Sequence, residues 1–318
     1  MKRNSLFSLK DCGIMLEPQV GMQVGEILEW AEYAEKAGFG YVLRSDHLMP
    51  TGVLREEDRP SPECWVTLGA VAASTRRVAF GPLVTPVGFR NPALLARMAC
   101  TLHSFSDGRL VLGFGAGWFR DEYLANGYEF PPFRDRFEQL LEALKILRPL
   151  TEGRRVDFQG KYFAAHTECL PRPKGKVHLI IGGRTTKVVE AAAQMADEWN
   201  IFGPTLDLYR RLRRVFDSNS AGREVQVSQM GTFLIGENTR ELKENASRHA
   251  KLFGIAGGAD AAFELFRGRG AFIGTVAEFV EQVNERLEAG IQKFYFQILN
   301  TQNKVMVNLL TRTLKEKF

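Results

Sequence analysis

The residues best suited to chemistry follow the second apolar run of the chain. Asp46 and His47 come directly after residues 40–44. An imidazole titrates near neutral pH and a neighbouring carboxylate can fix its tautomer, so this pair suits general acid and base catalysis. The alternative is that Asp46 caps a loop and His47 packs beneath it. The remaining histidines stand in helix, insertion or strand-start patterns and are interpreted as structural: His103, His166, His178 and His249.

A candidate anion site lies at Gly182 and Gly183. These glycines end an apolar run and lead directly into a helical pattern that begins at Thr186. A helix that starts in this way presents backbone N–H groups at the positive end of its dipole, which favours a phosphate. The spacing matches neither the P-loop nor the dinucleotide fingerprint, so a plain tight turn is the alternative.

Two further segments rich in glycine follow apolar runs. Residues 81–92 combine glycines with prolines, which indicates an unusual backbone path. Residues 113–117 alternate glycine with larger residues, so a flat ligand could approach the backbone there, although the dinucleotide fingerprint is incomplete. The alternative is that these glycines relieve crowding in a packed interior.

Apolar runs typical of buried strands alternate with helical patterns along the whole chain. The runs cover residues 13–16, 40–44, 78–84, 110–114, 178–181, 198–202, 225–235 and 293–299. Strands that are apolar on both faces and separated by helices predict an α/β fold, a (β/α)8 TIM barrel, with a doubly wound open sheet as the alternative. In a barrel, the residues that follow the carboxyl ends of the strands build the active site.

The 318 residues contain neither a linker nor a short repeat, so we expect one domain over residues 1–318. Loop insertions are predicted at residues 50–62, 154–170 and 254–270. The second insertion contains a hairpin pattern at residues 155–163, and the third is rich in glycine. Long loops at the carboxyl face of a barrel commonly form lids or substrate walls.

Composition narrows the partners and the compartment. A net charge of +5 and a pI near 9.0 suit an anionic ligand without requiring nucleic acid. The sequence shows neither a signal peptide nor a long apolar run, so we expect a cytoplasmic protein with no membrane partner. Four widely spaced cysteines predict reduced, mostly buried thiols rather than a disulfide framework or a metal site: Cys12, Cys64, Cys100 and Cys169.

The order and spacing of several segments resemble the bacterial luciferase-like superfamily. The segments are Ser45-Asp46-His47, residues 81–92, residues 113–134, and residues 180–184 with 196–200. The resemblance is clear over residues 13–202 and looser beyond them. It is greatest to the oxidoreductases that use the deazaflavin coenzyme F420, a group that includes methylenetetrahydromethanopterin reductase. It implies a barrel with the coenzyme in its carboxyl mouth and hydride transfer to or from an unidentified small organic substrate.

The resemblance also implies roles for individual residues. Asp46 is implied to lie near the deazaflavin ring and His47 on the substrate side. Our hypothesis is that His47 or Asp46 exchanges the proton that accompanies the hydride. Leu83–Val84 matches a dipeptide that often carries a non-prolyl cis bond and backs the ring. Thr85, next to this dipeptide, is also implied to contact the coenzyme. Gly115, Ala116 and Gly117 are implied to contact the ring and its side chain. Gly182, Gly183, Arg184 and Thr185 are implied to hold the phosphate.

Other functions remain open at this point. One alternative is a monooxygenase of the same superfamily that uses reduced FMN and oxygen, and another is a barrel that binds the coenzyme without catalysis. Trp118 stands where the sugar-phosphate dehydrogenase branch has an acidic residue, which disfavours a sugar phosphate as substrate. A homodimer is expected by analogy with the superfamily.

Overall fold

The computed structural model describes residues 7–50, 60–299 and 304–318. Its strands are β1 (Cys12–Leu16), β2 (Tyr41–Arg44), β3 (Ala79–Pro82), β4 (Thr85–Pro86), β5 (Val111–Gly115), β6 (Val156–Gln159), β7 (Ala164–Thr167), β8 (His178–Gly182), β9 (Glu198–Phe202), β10 (Gln226–Gly231), β11 (Phe233–Gly236), β12 (Phe272–Thr275) and β13 (Lys293–Ile298). Its helices are α1 (Val24–Ala37), α2 (Cys64–Ser74), α3 (Pro92–Phe105), α4 (Arg120–Ala125), α5 (Phe133–Thr151), α6 (Thr186–Met195), α7 (Leu206–Asn219), α8 (Thr239–Leu252), α9 (Gly258–Gly268), α10 (Val276–Glu288) and α11 (Lys304–Lys317).

Nine parallel strands form a nearly closed barrel. Their order is β3-β2-β1-β13-β10-β9-β8-β5-β4. The open side is bridged between β3 and β5, where the Phe80 N–H donates to the Arg109 carbonyl at 3.1 Å. This close approach requires a glycine, because a Cβ on Gly81 would lie 1.9 Å from the Val111 carbonyl oxygen. The predicted α/β barrel is confirmed.

The helices pack on the outside of the barrel through apolar residues that recur along one face of the helix. In α1 the buried residues recur three and four positions apart, which places them on one face: Ile27, Trp30, Ala31 and Ala34. The first turn of α1 is closed by a capping box between Gln23 and Glu26, and the helix ends at Gly38, whose left-handed conformation favours glycine.

The third barrel strand is interrupted. Residues 78–84 were expected to form one strand, but β3 ends at Pro82, a cis Leu83–Val84 peptide bond follows, and β4 resumes at Thr85. The implied non-prolyl cis bond is therefore present. Because the third predicted strand is divided into β3 and β4, the eight predicted strands appear as nine strand segments.

Two expectations in the second half of the chain were wrong. Residues 225–235 form two strands rather than one: β10 belongs to the barrel, whereas β11 pairs with β12 in a separate parallel sheet. The chain leaves the barrel at Thr232, whose carbonyl accepts from the Phe272 N–H at 2.9 Å. The glycine-rich insertion at 254–270 is mostly the helix α9.

The other two insertions have different outcomes. The hairpin predicted at 155–163 is present as the antiparallel pair β6 and β7, although it extends to Thr167. Its turn is closed by the Gly160 N–H, which donates to the Phe163 carbonyl at 2.9 Å. In the insertion at 50–62, residues 51–59 lie outside the described residues.

An ion pair fills the amino-terminal end of the barrel interior. Lys293 Nζ lies 2.8 Å from Glu198 Oε2, and the Tyr295 hydroxyl donates to Glu198 Oε1 at 2.7 Å. Burial raises the pKa of Glu198, but hydrogen bonds and the charges of His178 and Lys293 outweigh it and lower that pKa to about 2. Paired charges therefore occupy the amino-terminal end of the barrel interior. The predicted site lies at the opposite, carboxyl end.

Three findings concern the sequence-based expectations about membranes, metal ions and cysteines. No helix in the described ranges is long and apolar enough to cross a membrane. Within the same ranges, no group of three or more His, Cys, Asp or Glu is arranged to hold a metal ion. All four cysteines are free and buried, as predicted.

Candidate active site

Asp46 follows β2 and is held in an ion pair. Its Oδ2 accepts hydrogen bonds from the Thr85 hydroxyl at 2.7 Å and from Arg90 Nη1 at 2.6 Å. Arg90 also forms an ion pair with Glu63, the residue that caps α2. The Asp46 carboxylate is completely buried, so its oxygens are committed to these partners.

His47 is held by a different carboxylate, Glu122 of α4. His47 Nδ1 lies 3.0 Å from Glu122 Oε2 and 3.2 Å from Oε1. The expected Asp46–His47 pairing is therefore corrected, because the Asp46 carboxylate is bonded to Thr85 and Arg90 while Glu122 holds the imidazole. Glu122 also accepts from the backbone N–H groups of Leu48 at 2.5 Å and Met49 at 3.3 Å, which fixes the loop that carries His47.

Two effects compete at the His47 imidazole. Burial lowers its pKa, but the hydrogen bond and charge of Glu122 raise it, and the charges of Glu17 and Asp46 act in the same direction. The net result is a pKa above the ordinary value for histidine. The His47 side chain is 15% exposed, so it remains reachable from the mouth of the barrel. A histidine with these properties can donate or accept a proton near neutral pH.

An aromatic surface adjoins His47. The Trp118 ring lies 5.8 Å from the His47 ring, edge to face, and is stacked on Phe119 at 5.2 Å. The Phe119 ring is 6.4 Å from the imidazole. Trp118 is 66% exposed, which is unusual for so large an apolar side chain.

The cis segment packs against two of the predicted glycines. A Cβ on Gly115 or on Gly182 would lie 2.7 Å from a methyl group of Val84. These glycines therefore admit the Val84 side chain, and for Gly115 this is the crowding alternative stated from the sequence. Gly117 is a glycine for another reason, because its φ is +75° and a Cβ would lie 2.3 Å from the Tyr123 hydroxyl. Between them, Ala116 is buried, and its carbonyl accepts from Arg136 Nε at 3.3 Å.

The start of α6 has the features of an anion site. Its N-cap residue, Thr185, makes no side-chain hydrogen bond to the first turn, and Arg184, Thr185 and Lys187 are exposed. The first backbone N–H groups of a helix have no partner within the helix, so here they face solvent or a ligand. Gly183 is not one of these donors, because its N–H donates to the Asn200 carbonyl at 3.0 Å. Its φ of +158° and the nearby Val188 side chain still require a glycine.

A buried polar network completes the mouth and was missed in the sequence. Glu17, which follows β1, accepts from Gln19 and from Gln297, each at 2.6 Å. The Ser45 hydroxyl donates to Gln19 at 2.6 Å and joins this network to β2. Arg90 and Glu122 were likewise not singled out. The one sequence signal for these two residues is that each lies in a segment that follows a predicted strand.

Comparison with known proteins identifies the family. A family model described as luciferase-like monooxygenase matches residues 5–293. The chain belongs to this luciferase-like family. The predicted resemblance is therefore confirmed at the level of the family.

Curated relatives of this luciferase-like chain are F420-dependent dehydrogenases. The F420-dependent glucose-6-phosphate dehydrogenase of Amycolatopsis mediterranei (strain U-32) is 33% identical over 174 residues, which are 54% of this chain and 51% of the relative. The enzyme of the same name from Nocardia farcinica (strain IFM 10152) is 28% identical over 314 residues, 91% of this chain and 92% of the relative. The alignments with the first such relatives span about half of their length.

A solved structure supports the fold of the luciferase-like chain. An F420-dependent secondary alcohol dehydrogenase, in complex with an F420-acetone adduct, superimposes with a TM-score of 0.79 over 95% of this chain and 97% of that one. The sequence identity is 21%, so the likeness concerns the fold.

Proposed function

We propose that the chain is an oxidoreductase that transfers a hydride between coenzyme F420 and a small organic substrate. The observation that carries the proposal is the His47–Glu122 pair at the carboxyl mouth, a partly exposed imidazole with a raised pKa. The F420-dependent dehydrogenases among its relatives support the same activity.

In this proposal His47 exchanges the substrate proton and Asp46 does not. Glu122 accepts from Nδ1, so Nε2 is left to face the substrate. The Asp46 oxygens are buried against Thr85 and Arg90, so Asp46 is a positioning residue. This narrows the hypothesis from the sequence, which gave the proton to either residue.

The residues at the mouth fit a deazaflavin that carries a phosphate. The uncapped start of α6 with Arg184, Thr185 and Lys187 would hold the phosphate. Leu83, Val84 and Thr85 would back the ring, and residues 115–117 would contact its side chain. When bound, the coenzyme supplies hydride transfer at a ring carbon, and the protein supplies position and shielding.

A titration of the purified protein with oxidised coenzyme F420 and, separately, with FMN tests the proposal. We expect micromolar or tighter binding of F420 and weak binding of FMN. A preference for FMN would favour the monooxygenase alternative, and binding of neither would contradict both. Binding without turnover across a panel of alcohols and carbonyl compounds would favour a non-catalytic coenzyme-binding barrel.

The remaining expectations about partners stay predictions. Val66 on α2 is 75% exposed on a helix whose residues are apolar almost throughout, which is compatible with the predicted homodimer. Sedimentation of the purified protein measures the oligomeric state. The single domain, the cytoplasmic location and the absence of a nucleic-acid partner also remain predictions.

A further inference from the structure

The charges around His47 are unfavourable for an anionic substrate. The carboxylates of Glu122, Glu17 and Asp46 all act on the imidazole. Carboxylates that are buried in a low-dielectric environment repel a phosphate dianion much more strongly than they would in water. A phosphorylated substrate would therefore need cations close to His47.

Among residues 7–50, 60–299 and 304–318, the guanidinium groups of Arg44 and Arg90 adjoin this cluster, and both are already engaged. Arg90 is paired with Asp46 and with Glu63. Arg44 donates to Thr67 and to the backbone carbonyls of Ser45, Pro62 and Glu63, and its side chain is buried. In the proposed function, the exposed cations at the start of α6 are taken by the coenzyme phosphate.

The surface that faces a substrate beside His47 is aromatic. Trp118 is stacked on Phe119, and its edge-to-face contact with His47 places its exposed ring next to the proton-exchanging group. An aromatic ring of this kind contributes to binding by covering apolar or aromatic ligand surface. The other three tryptophans are buried and do not share this arrangement: Trp30, Trp65 and Trp199.

We infer that the substrate is an uncharged alcohol or its carbonyl counterpart whose apolar, preferably aromatic, group packs against Trp118. This inference rests on the proposed function. In the oxidative direction the carbinol C–H bond breaks and its electron pair leaves as hydride to the oxidised deazaflavin. The hydroxyl proton passes to His47 Nε2, and the carbonyl double bond forms. Carbonyl reduction is the reverse. Glucose 6-phosphate, the substrate in the names of the relatives described above, is disfavoured.

Binding to the coenzyme-free protein tests the inference without turnover. All four tryptophans emit, but Trp118 is the exposed one, so the part of a ligand-induced emission shift that is lost in Trp118→Ala reports on Trp118. We expect 1-phenylethanol to shift the tryptophan emission saturably, and the shift to disappear in Trp118→Ala. Glucose 6-phosphate is expected to leave the emission unchanged. A saturable response to glucose 6-phosphate, or a response to 1-phenylethanol that persists in Trp118→Ala, would overturn the inference.

Kinetics with F420 provide the second arm. We expect kcat/KM for 1-phenylethanol to exceed that for glucose 6-phosphate by at least about 100-fold, because the carboxylates around His47 and the aromatic surface of Trp118 both disfavour a phosphate dianion. Trp118→Ala should raise KM for 1-phenylethanol about tenfold, with little change in kcat or in the Kd of F420. Phe105→Ala is the matched control, because Phe105 is 63% exposed at the far end of α3.

The two arms separate the two hypotheses. Failure to bind F420 contradicts the proposed function, whereas the tryptophan emission of the coenzyme-free protein still decides between the two ligands. F420 binding with a preference for glucose 6-phosphate would leave the proposed function intact and overturn the inference about the substrate. Equal KM effects of Trp118→Ala and Phe105→Ala would also overturn it.

Discussion

Arg90 Nη1 lies 2.6 Å from Asp46 Oδ2 in an ion pair at the mouth of the barrel, and the carboxylate is completely buried. Asp46 also accepts from Thr85, the residue that follows the cis Leu83–Val84 bond. Asp46 and Arg90 therefore join the end of β2 to the interrupted third strand. The pair supports the wall on which the coenzyme is proposed to lie, and in the proposed function the proton exchange falls to His47.

Removing the Arg90 cation from this pair should strongly destabilise the protein. Arg90→Met leaves the Asp46 carboxylate buried without its cation, and we expect the free energy of unfolding to fall by about 3–5 kcal/mol. Urea denaturation monitored by circular dichroism measures it. Asp46→Asn in the same chain removes the stranded charge and should recover at least half of the loss. Additive losses in the double variant would show that the two side chains do not act as a pair.

The Glu122–His47 pair should make stability depend on pH. Because Glu122 raises the pKa of folded His47, the interaction contributes fully below the unfolded value of about 6.5 and is lost as the pH rises through the folded pKa. Glu122→Gln should therefore reduce the free energy of unfolding more at about pH 5.5 than at about pH 8.5. Denaturation at both pH values measures this difference. An equal loss of the free energy of unfolding at the two pH values would contradict the prediction.

The same variant should move the pH profile of catalysis. Without the Glu122 charge, burial lowers the pKa of His47, so the limb of kcat/KM that reports this group should shift to lower pH. The amide oxygen that Glu122→Gln introduces can still accept from the Leu48 N–H, so the loop should stay in place. In a His47→Gln background, Glu122→Gln should cause no pH-dependent change in stability, which makes that background the control.

Much of the fold could be predicted because local signals were strong. The helix α1 is one example, since its apolar spacing, its capping residues and Gly38 all point to the same helix. The break after β10 gave a weaker signal, because strand-forming residues stand on both sides of Gly231 and the exit at Thr232 depends on pairing with Phe272. The helix α9 was hidden by the glycines around it, which suppress helix propensity without preventing tertiary packing.

The location of the candidate site could be predicted from the sequence, but the pairings of its residues could not. Strand ends correctly placed Asp46 and His47 at the carboxyl mouth, because that rule depends on topology alone. Their partners, Arg90 and Glu122, lie 44 and 75 residues further along the chain. Such contacts depend on how separate loops pack, and no periodicity in a single sequence encodes them.

The contact between Gly182 and Val84 provides a test of why glycines line this wall. A Cβ on residue 182 would lie 2.7 Å from a Val84 methyl group, so Gly182→Ala should destabilise the protein by about 1–3 kcal/mol. Val84→Ala in the same chain makes room and should recover part of the loss. Gly69→Ala is the control: nothing lies within 4 Å of its Cβ position in α2, so it should stabilise by about 0.5–1 kcal/mol. Thermal or urea denaturation measures all three, and unchanged stability in Gly182→Ala would contradict the packing argument.

The exposed cation beside the start of α6 should determine coenzyme affinity. Arg184→Ala is expected to weaken F420 binding about 3- to 30-fold at low salt, because it removes a positive charge next to the helix N-terminus. The loss should shrink at high ionic strength, since exposed charges are screened. Fluorescence titration of the coenzyme at two salt concentrations measures both effects. Arg211→Ala on α7 removes the same charge from an exposed position elsewhere on the barrel. An equal loss of affinity in Arg211→Ala would mean that net charge alone attracts the coenzyme and that the start of α6 is not its phosphate site.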